Sequence, residues 1–180
     1  MNEPLILFFL LALLIVPAVL VARSMRRVGR EARRAERLLY WAAPRGWQLR
    51  GSAPELVGRW QCPPFTAPER YVDDGLVGEF HGREATSLRL ETPPRVFHVF
   101  TLELRAALPV VQVMTDGVPD PDVGEAGAAW LRERAPEGLS LRVERGVVVG
   151  WLPGEPLLTE LDRFLEVLLA VAERVEALER

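Results

Sequence analysis

Few residues in this chain have both the type and the spacing for chemistry. Its single cysteine, Cys62, and its two histidines, His81 and His98, are the obvious candidates among 180 residues. A thiolate beside a histidine base makes a nucleophile when a third group orients the histidine. Cys62 sits in Cys62-Pro-Pro-Phe65, a connector stiffened by two prolines. Nothing in the pattern sets either histidine beside it. His98 falls on the more apolar face of a strand-like run and reads as a satisfied core histidine. His81, in His81-Gly-Arg83, reads as a solvated turn residue. A lone cysteine forms no intramolecular disulfide and no cysteine zinc cluster.

Carboxylates gather in several places. Asp116, Asp120, Asp122 and Glu125 lie close in sequence, as calcium ligands do. Here Pro119 and Pro121 take the intervening places, and the alternate ligand spacing is missing. The reading is a solvated acidic loop. Glu79 and Glu84 flank the His81 turn as a carboxylate pair across a hairpin, and Asp73-Asp74 before Gly75 is turn chemistry. There is no phosphate-binding glycine loop, dinucleotide fingerprint, Gly-x-Ser-x-Gly elbow or His-Glu-x-x-His. Trp41, Trp47, Trp60, Trp130 and Trp151 are widely spaced and read as core. The expectation is no catalytic residue, no cofactor and no metal.

The clearest physical signal lies at the other end of the polarity scale. Pro4 to Ala22 is nineteen residues without a charge. As a helix it is ~28 Å long, enough to cross a bilayer core of ~30 Å. Pro17 removes one helix hydrogen bond, which membrane helices tolerate. Only Met1, Asn2 and Glu3 precede the run. Arg23, Arg26, Arg27, Arg30, Arg33, Arg34 and Arg37 follow it, against Glu31 and Glu36, a net charge of +5. Arginine beside a span stays on the cytoplasmic side. The expectation is therefore a single-pass plasma-membrane protein with its amino terminus outside and its globular part in the cytoplasm. A cleaved signal peptide requires a basic leader and a shorter apolar run, and neither is present.

Residues 38–180 carry fifteen Arg against twenty-two acids, a net charge of −7. A mildly acidic domain argues against nucleic acid as a partner. Every basic residue is arginine, which fits a bias of composition better than phosphate recognition. The expected organisation is a tail at 1–3, a transmembrane helix at 4–22, a basic juxtamembrane helix at 23–44 and a globular domain at 45–180.

In the juxtamembrane helix the seven arginines share one arc and Met25, Val28, Ala32, Ala35 and Leu39 the opposite face. Three readings stay open. The arginines lie among anionic headgroups, or the seam from Val21 to Ala42 pairs weakly with a second copy, or it packs on the protein's own domain.

The rest alternates strands and short helices. Strands are expected at 47–50, 76–80, 85–90, 96–105 and 110–114, and a hairpin at 139–144 and 147–152 across Arg145-Gly146. In 96–105 the period of two predicts a half-buried strand. Helices are expected at 124–135 and from Pro156 onward. The last helix carries Leu157, Leu161, Phe164, Leu168, Val171, Val175 and Leu178, flanked by Leu158, Leu165, Leu169 and Ala172. A stripe this wide suits packing on a sheet. The fold class is α+β, an antiparallel sheet covered by a long C-terminal helix.

Several short motifs carry a family resemblance. They are Trp41-Ala-Ala-Pro-Arg-Gly-Trp47, Arg59-Trp60, Pro64-Phe65, Gly78-Glu-Phe-His-Gly-Arg83, Phe97-His-Val-Phe-Thr-Leu-Glu-Leu104 with Leu108-Pro109, Leu141-Arg-Val-Glu144 and Trp151. Over about residues 40–175 the chain resembles a family of uncharacterised actinobacterial proteins, whose members often carry an N-terminal membrane segment. The resemblance implies an α+β domain at a membrane and supplies no catalytic residue. The expected function is a non-catalytic binding or scaffold module at the membrane, with the lipid bilayer and a protein partner or a weak homo-oligomer as its contacts. Alternatives are an enzyme with an unrecognised site on the sheet and an exported anchored domain.

Overall fold

Four two-residue reversals set the register of the sheet. The structure, a computed structural model, describes residues 15–17, 19, 21, 25, 29, 32–52, 55, 58–106, 108–155 and 157–177. Its strands are β1 (Gln48–Arg50), β2 (Tyr71–Phe80), β3 (Arg83–Thr92), β4 (Arg95–Glu103), β5 (Val111–Thr115), β6 (Val118–Pro119), β7 (Ser140–Glu144) and β8 (Val147–Pro153). His81-Gly82, Asp116-Gly117 and Arg145-Gly146 join neighbouring strands with positive φ at both central residues. That geometry matches the right-handed twist of the flanking strands. Pro93-Pro94 joins β3 to β4.

The strands form one antiparallel sheet in the order β1-β2-β3-β4-β8-β7-β5-β6. The helices are α1 (residues 32–42), α2 (Glu125–Arg134) and α3 (Leu161–Ala177). The fold is α+β with a C-terminal helix on the sheet. The edges are short, three residues in β1 and two in β6, and β6 includes Pro119.

The chain divides into two units, Met1–Arg37 and Leu38–Arg180. The expected span, 4–22, lies outside the described residues except for Ile15, Val16, Pro17, Val19 and Val21. Among the described residues no helix is long and apolar enough to cross a membrane.

Apolar side chains on one face of the sheet meet α3. Ala85, Phe100, Leu102, Leu141 and Val148 pack with Phe164, Leu165, Leu168 and Val171, and Leu38, Ala42 and Trp47 complete this core. Phe100 stacks on Phe164 with ring centroids 4.9 Å apart. Gly150 makes room for that stack, since a Cβ there would lie 2.5 Å from the Phe100 ring.

The opposite face carries its own apolar cluster. Val72, Leu88, Leu90, Phe97, Val99 and Trp151 lie under Trp60, Cys62 and Phe65 from the connector. This corrects the expectation of a half-buried β4. Every residue from Phe97 to Leu102 is buried, because the connector covers the face that the alternation assigned to solvent.

Two further corrections concern local geometry. Asp73-Asp74-Gly75 makes a bulge inside β2 rather than a chain reversal, with Asp74 at φ 54°. Pairing with both β1 and β3 carries the strand through this segment. The bulge changes the alternation, so Val72 joins one cluster and Leu76 the other. The last helix starts at Leu161, after a 3-10 turn at Leu158–Glu160, and not at Pro156. Leu157 has extended backbone and is exposed, which holds it outside the helix.

A buried polar contact joins the α3 side of the sheet to the helix. Arg83 donates through Nη1 to Glu176 Oε1 at 2.7 Å and through Nη2 to Oε2 at 2.9 Å. Nη1 also reaches the Glu103 carbonyl, and the Arg105 amide donates to Glu176 Oε1. Both side chains are buried. Donation from Arg83 draws the Glu176 carboxyl down to about 2 from an ordinary 4.5; burial opposes this and the Arg105 amide reinforces it. A carboxyl with a depressed folded pKa stabilises the fold above its unfolded pKa and loses that contribution as pH falls through the folded value. About 3 kcal/mol, at ~1.4 kcal/mol per pKa unit, should therefore disappear as pH drops from about 4.5 to about 2. Glu176→Gln should cost about 3–5 kcal/mol at neutral pH and remove this part of the acid dependence. Urea midpoints of both proteins at neutral and acidic pH check both outcomes.

Candidate functional site

A cleft of about 300 Å³ opens on the sheet face opposite α3. This is at the small end of the ~300–1,000 Å³ usual for ligand sites. Its floor is Thr86 of β3 and Thr101 of β4, which are directly paired and both largely buried. Neither hydroxyl is hydrogen-bonded within the described protein. One wall is Arg59 and Trp60 from the connector. Glu84 and Glu103 stand on the same face of β3 and β4, and Arg105 and Arg145 close the end. The sheet places these groups: even positions of β3 and odd positions of β4 point away from α3 (the period of two in the strands).

Trp60 is 5% exposed, yet its indole Nε1 has no acceptor among the described residues. Its ring is fixed by Phe65, with centroids 4.8 Å apart, and Phe65 meets Trp151 edge-on at 5.5 Å. Below the connector runs a satisfied polar network. Glu144 accepts from the Gln61 amide at 3.2 Å and from Arg142 Nε at 3.0 Å, and Arg142 donates to Gln112 Oε1 at 3.2 Å. Gln112 in turn donates to the Met114 and Leu141 carbonyls. This network anchors the connector through the Gln61 backbone, and so holds Trp60 against the sheet.

The structure keeps the sequence candidates apart. Cys62 is buried under the connector, His98 is buried on the α3 side, and His81 is exposed in its turn, 3.6 Å from Glu166. His98 Nε2 lies 2.9 Å from Ser87 Oγ, both buried, with Phe100 and Phe164 edge-on to the imidazole. This Ser–His pair was not legible in the sequence, because only the β3–β4 register reveals it. The seal of aromatic rings makes it a core contact. Glu79 and Glu84 do face each other across the hairpin, but only Glu84 reaches the cleft. Arg83, adjacent in sequence, points to the other face. Asp120 caps the 3-10 turn Pro121–Val123 by accepting from the Asp122 amide, and Asp116 turns the β5–β6 hairpin. Among the described residues no group of His, Cys, Asp and Glu could hold a metal ion. Of the arginines expected to face the membrane, Arg23, Arg26, Arg27 and Arg30 lie outside the described residues. Arg33 and Arg37 are exposed on α1 and Arg34 is half-buried.

No family model matches the chain, and no curated protein matches it. A solved structure does. The fold resembles that of a mycobacterial transport factor. The crystal structure of the mycobacterial trehalose monomycolate transport factor A, TtfA, covers 77% of this chain and 92% of its own, with 12% identity and a TM-score of 0.57. At that identity the likeness is one of fold. Its mycobacterial source agrees with the actinobacterial resemblance.

Burial pushes the Cys62 thiol up to about 11; Arg142 draws it down and Glu144 raises it further. The thiolate is the reactive form. At pH 8 the folded protein should react with a disulfide reagent about a hundredfold more slowly than the urea-unfolded chain. Stopped-flow labelling of the thiol in both states measures this ratio.

Proposed function

We propose that this protein is a single-pass membrane protein whose cytoplasmic α+β domain is a non-catalytic binding or scaffold module. The observation that carries this reading is the composition of the cleft. Its polar lining is threonine, glutamate, arginine and tryptophan, and among the described residues it holds no cysteine, histidine or serine. The cysteine and both histidines sit elsewhere, the thiol held protonated and His98 paired with Ser87 under a seal of aromatic rings. Such a surface suits recognition of a ligand, with no thiol or imidazole among the described residues that line it.

The membrane part of the reading rests on the apolar run at 4–22 and the arginines behind it. Ile15, Val16, Val19 and Val21 are helical and exposed, as lipid-facing side chains are. Each arginine at an anionic surface contributes about 1 kcal/mol. The fold neighbour is named for the transport of trehalose monomycolate, an acylated disaccharide. We extend that role to this chain as an accessory to the transport of an acylated, sugar-headed lipid, acting through a membrane protein partner.

The full-length chain should stay in the pellet when membranes are washed with alkaline carbonate. Protease added outside intact spheroplasts should leave the domain uncut. Capture of the full-length chain from mildly solubilised membranes should recover the same membrane protein in repeated preparations. Release into the carbonate wash overturns the tether, cleavage in spheroplasts overturns the cytoplasmic placement, and recovery of no recurrent partner overturns the scaffold role.

A further inference from the structure

We infer that the cleft under Trp60 is a binding site for a neutral polyhydroxylated ligand, a sugar or the sugar headgroup of a lipid. This deepens the binding-module reading and rests on it. The first observation is the Trp60 indole, which walls the cleft and whose N–H has no acceptor among the described residues. A buried donor without an acceptor carries the full penalty of its lost hydration. The ring is held by Phe65, tilted against it at 55°, and by the Gln61–Glu144 anchor. A ligand in the cleft lies against this fixed ring.

The second observation is the mixture of charges around the same space. The carboxylates of Glu84 and Glu103 share the cleft with Arg59, Arg105 and Arg145, and neither carboxylate is ion-paired or hydrogen-bonded to a described residue. An anion in the cleft would meet two carboxylates, and a cation would meet three guanidinium groups. A polyol suits both signs. Its hydroxyls donate to Glu84 and Glu103 and accept from Arg59 and Arg145, and charged partners make these hydrogen bonds the strong kind. The paired Thr86 and Thr101 hydroxyls on the floor both donate and accept, which suits a ligand whose own groups do the same. The apolar faces of sugar rings also bury well against an indole.

The full-length chain in a detergent without sugar headgroups provides the test. The indole N–H resonance of Trp60 is identified by its loss in Trp60→Phe. Trehalose should shift it with a millimolar dissociation constant, and vesicles carrying a trehalose-headed glycolipid should do the same with chain reconstituted in them. Glu103→Gln and Arg145→Asn, both on the exposed rim, should each weaken the response by about fivefold, as loss of one charge-assisted hydrogen bond does. A shift with free sugar alone assigns a soluble ligand, and a shift with the glycolipid alone assigns a headgroup; either supports the site. No shift with either ligand overturns the inference. So does a shift with inorganic phosphate in place of sugar, or a sugar response that both rim variants leave unchanged. Carbonate extraction reports on the tether alone and the indole resonance on the cleft alone, so the two readings fail separately.

Discussion

The Arg83–Glu176 pair is the constraint on which the arrangement of sheet and helix depends. It joins the first residue of β3 to the last turn of α3, and the Glu103 carbonyl and Arg105 amide bind the same two groups at the end of β4. Apolar packing alone tolerates a helix that slides or rotates by a fraction of a turn. A bidentate pair in a buried setting does not, because a displaced partner leaves a charge without water or counter-ion. The pair therefore fixes which turn of α3 meets which corner of the sheet. With that corner fixed, the Phe100–Phe164 stack has one place to form, and Gly150 is the residue that leaves the space for it.

The same fixed sheet carries two cores. α3 covers one face and the connector around Phe65 the other, and β4 lies between them with both faces buried. The connector has little regular structure to hold it down. Three tilted aromatic rings and the Gln61–Glu144 hydrogen bond do so. The cleft exists because this cover stops at Trp60, while the sheet continues to Glu84 and Glu103. Fold and site thus share one cause: an incomplete second layer.

Much of the fold was legible because its signals are local. His81-Gly82, Asp116-Gly117 and Arg145-Gly146 announce their turns by residue type, and the wide apolar stripe from Leu161 to Val171 announces a helix lying on a sheet. The features that escaped depend on partners far away in sequence. Arg83 and Glu176 are ninety-three positions apart, and each alone is an ordinary surface charge. The connector's role was hidden because prolines and loop residues carry no period to mark a buried side. Asp73-Asp74-Gly75 had turn chemistry and used it, but neighbours on both sides made it a bulge. At the site, Glu84 and Trp60 were visible as residues, while their meeting over Thr86 and Thr101 follows only from the register of β3 on β4.

The ends of the sheet have a consequence for crowded surroundings. A row of open amides at a sheet margin is a template on which another molecule's strand can grow. Here the outermost strands span three and two residues, and Pro119 has no amide hydrogen to offer. An incoming strand finds at most three residues of β1 or two of β6 to pair with along these outermost strands. Any assembly of this domain must be written in side chains.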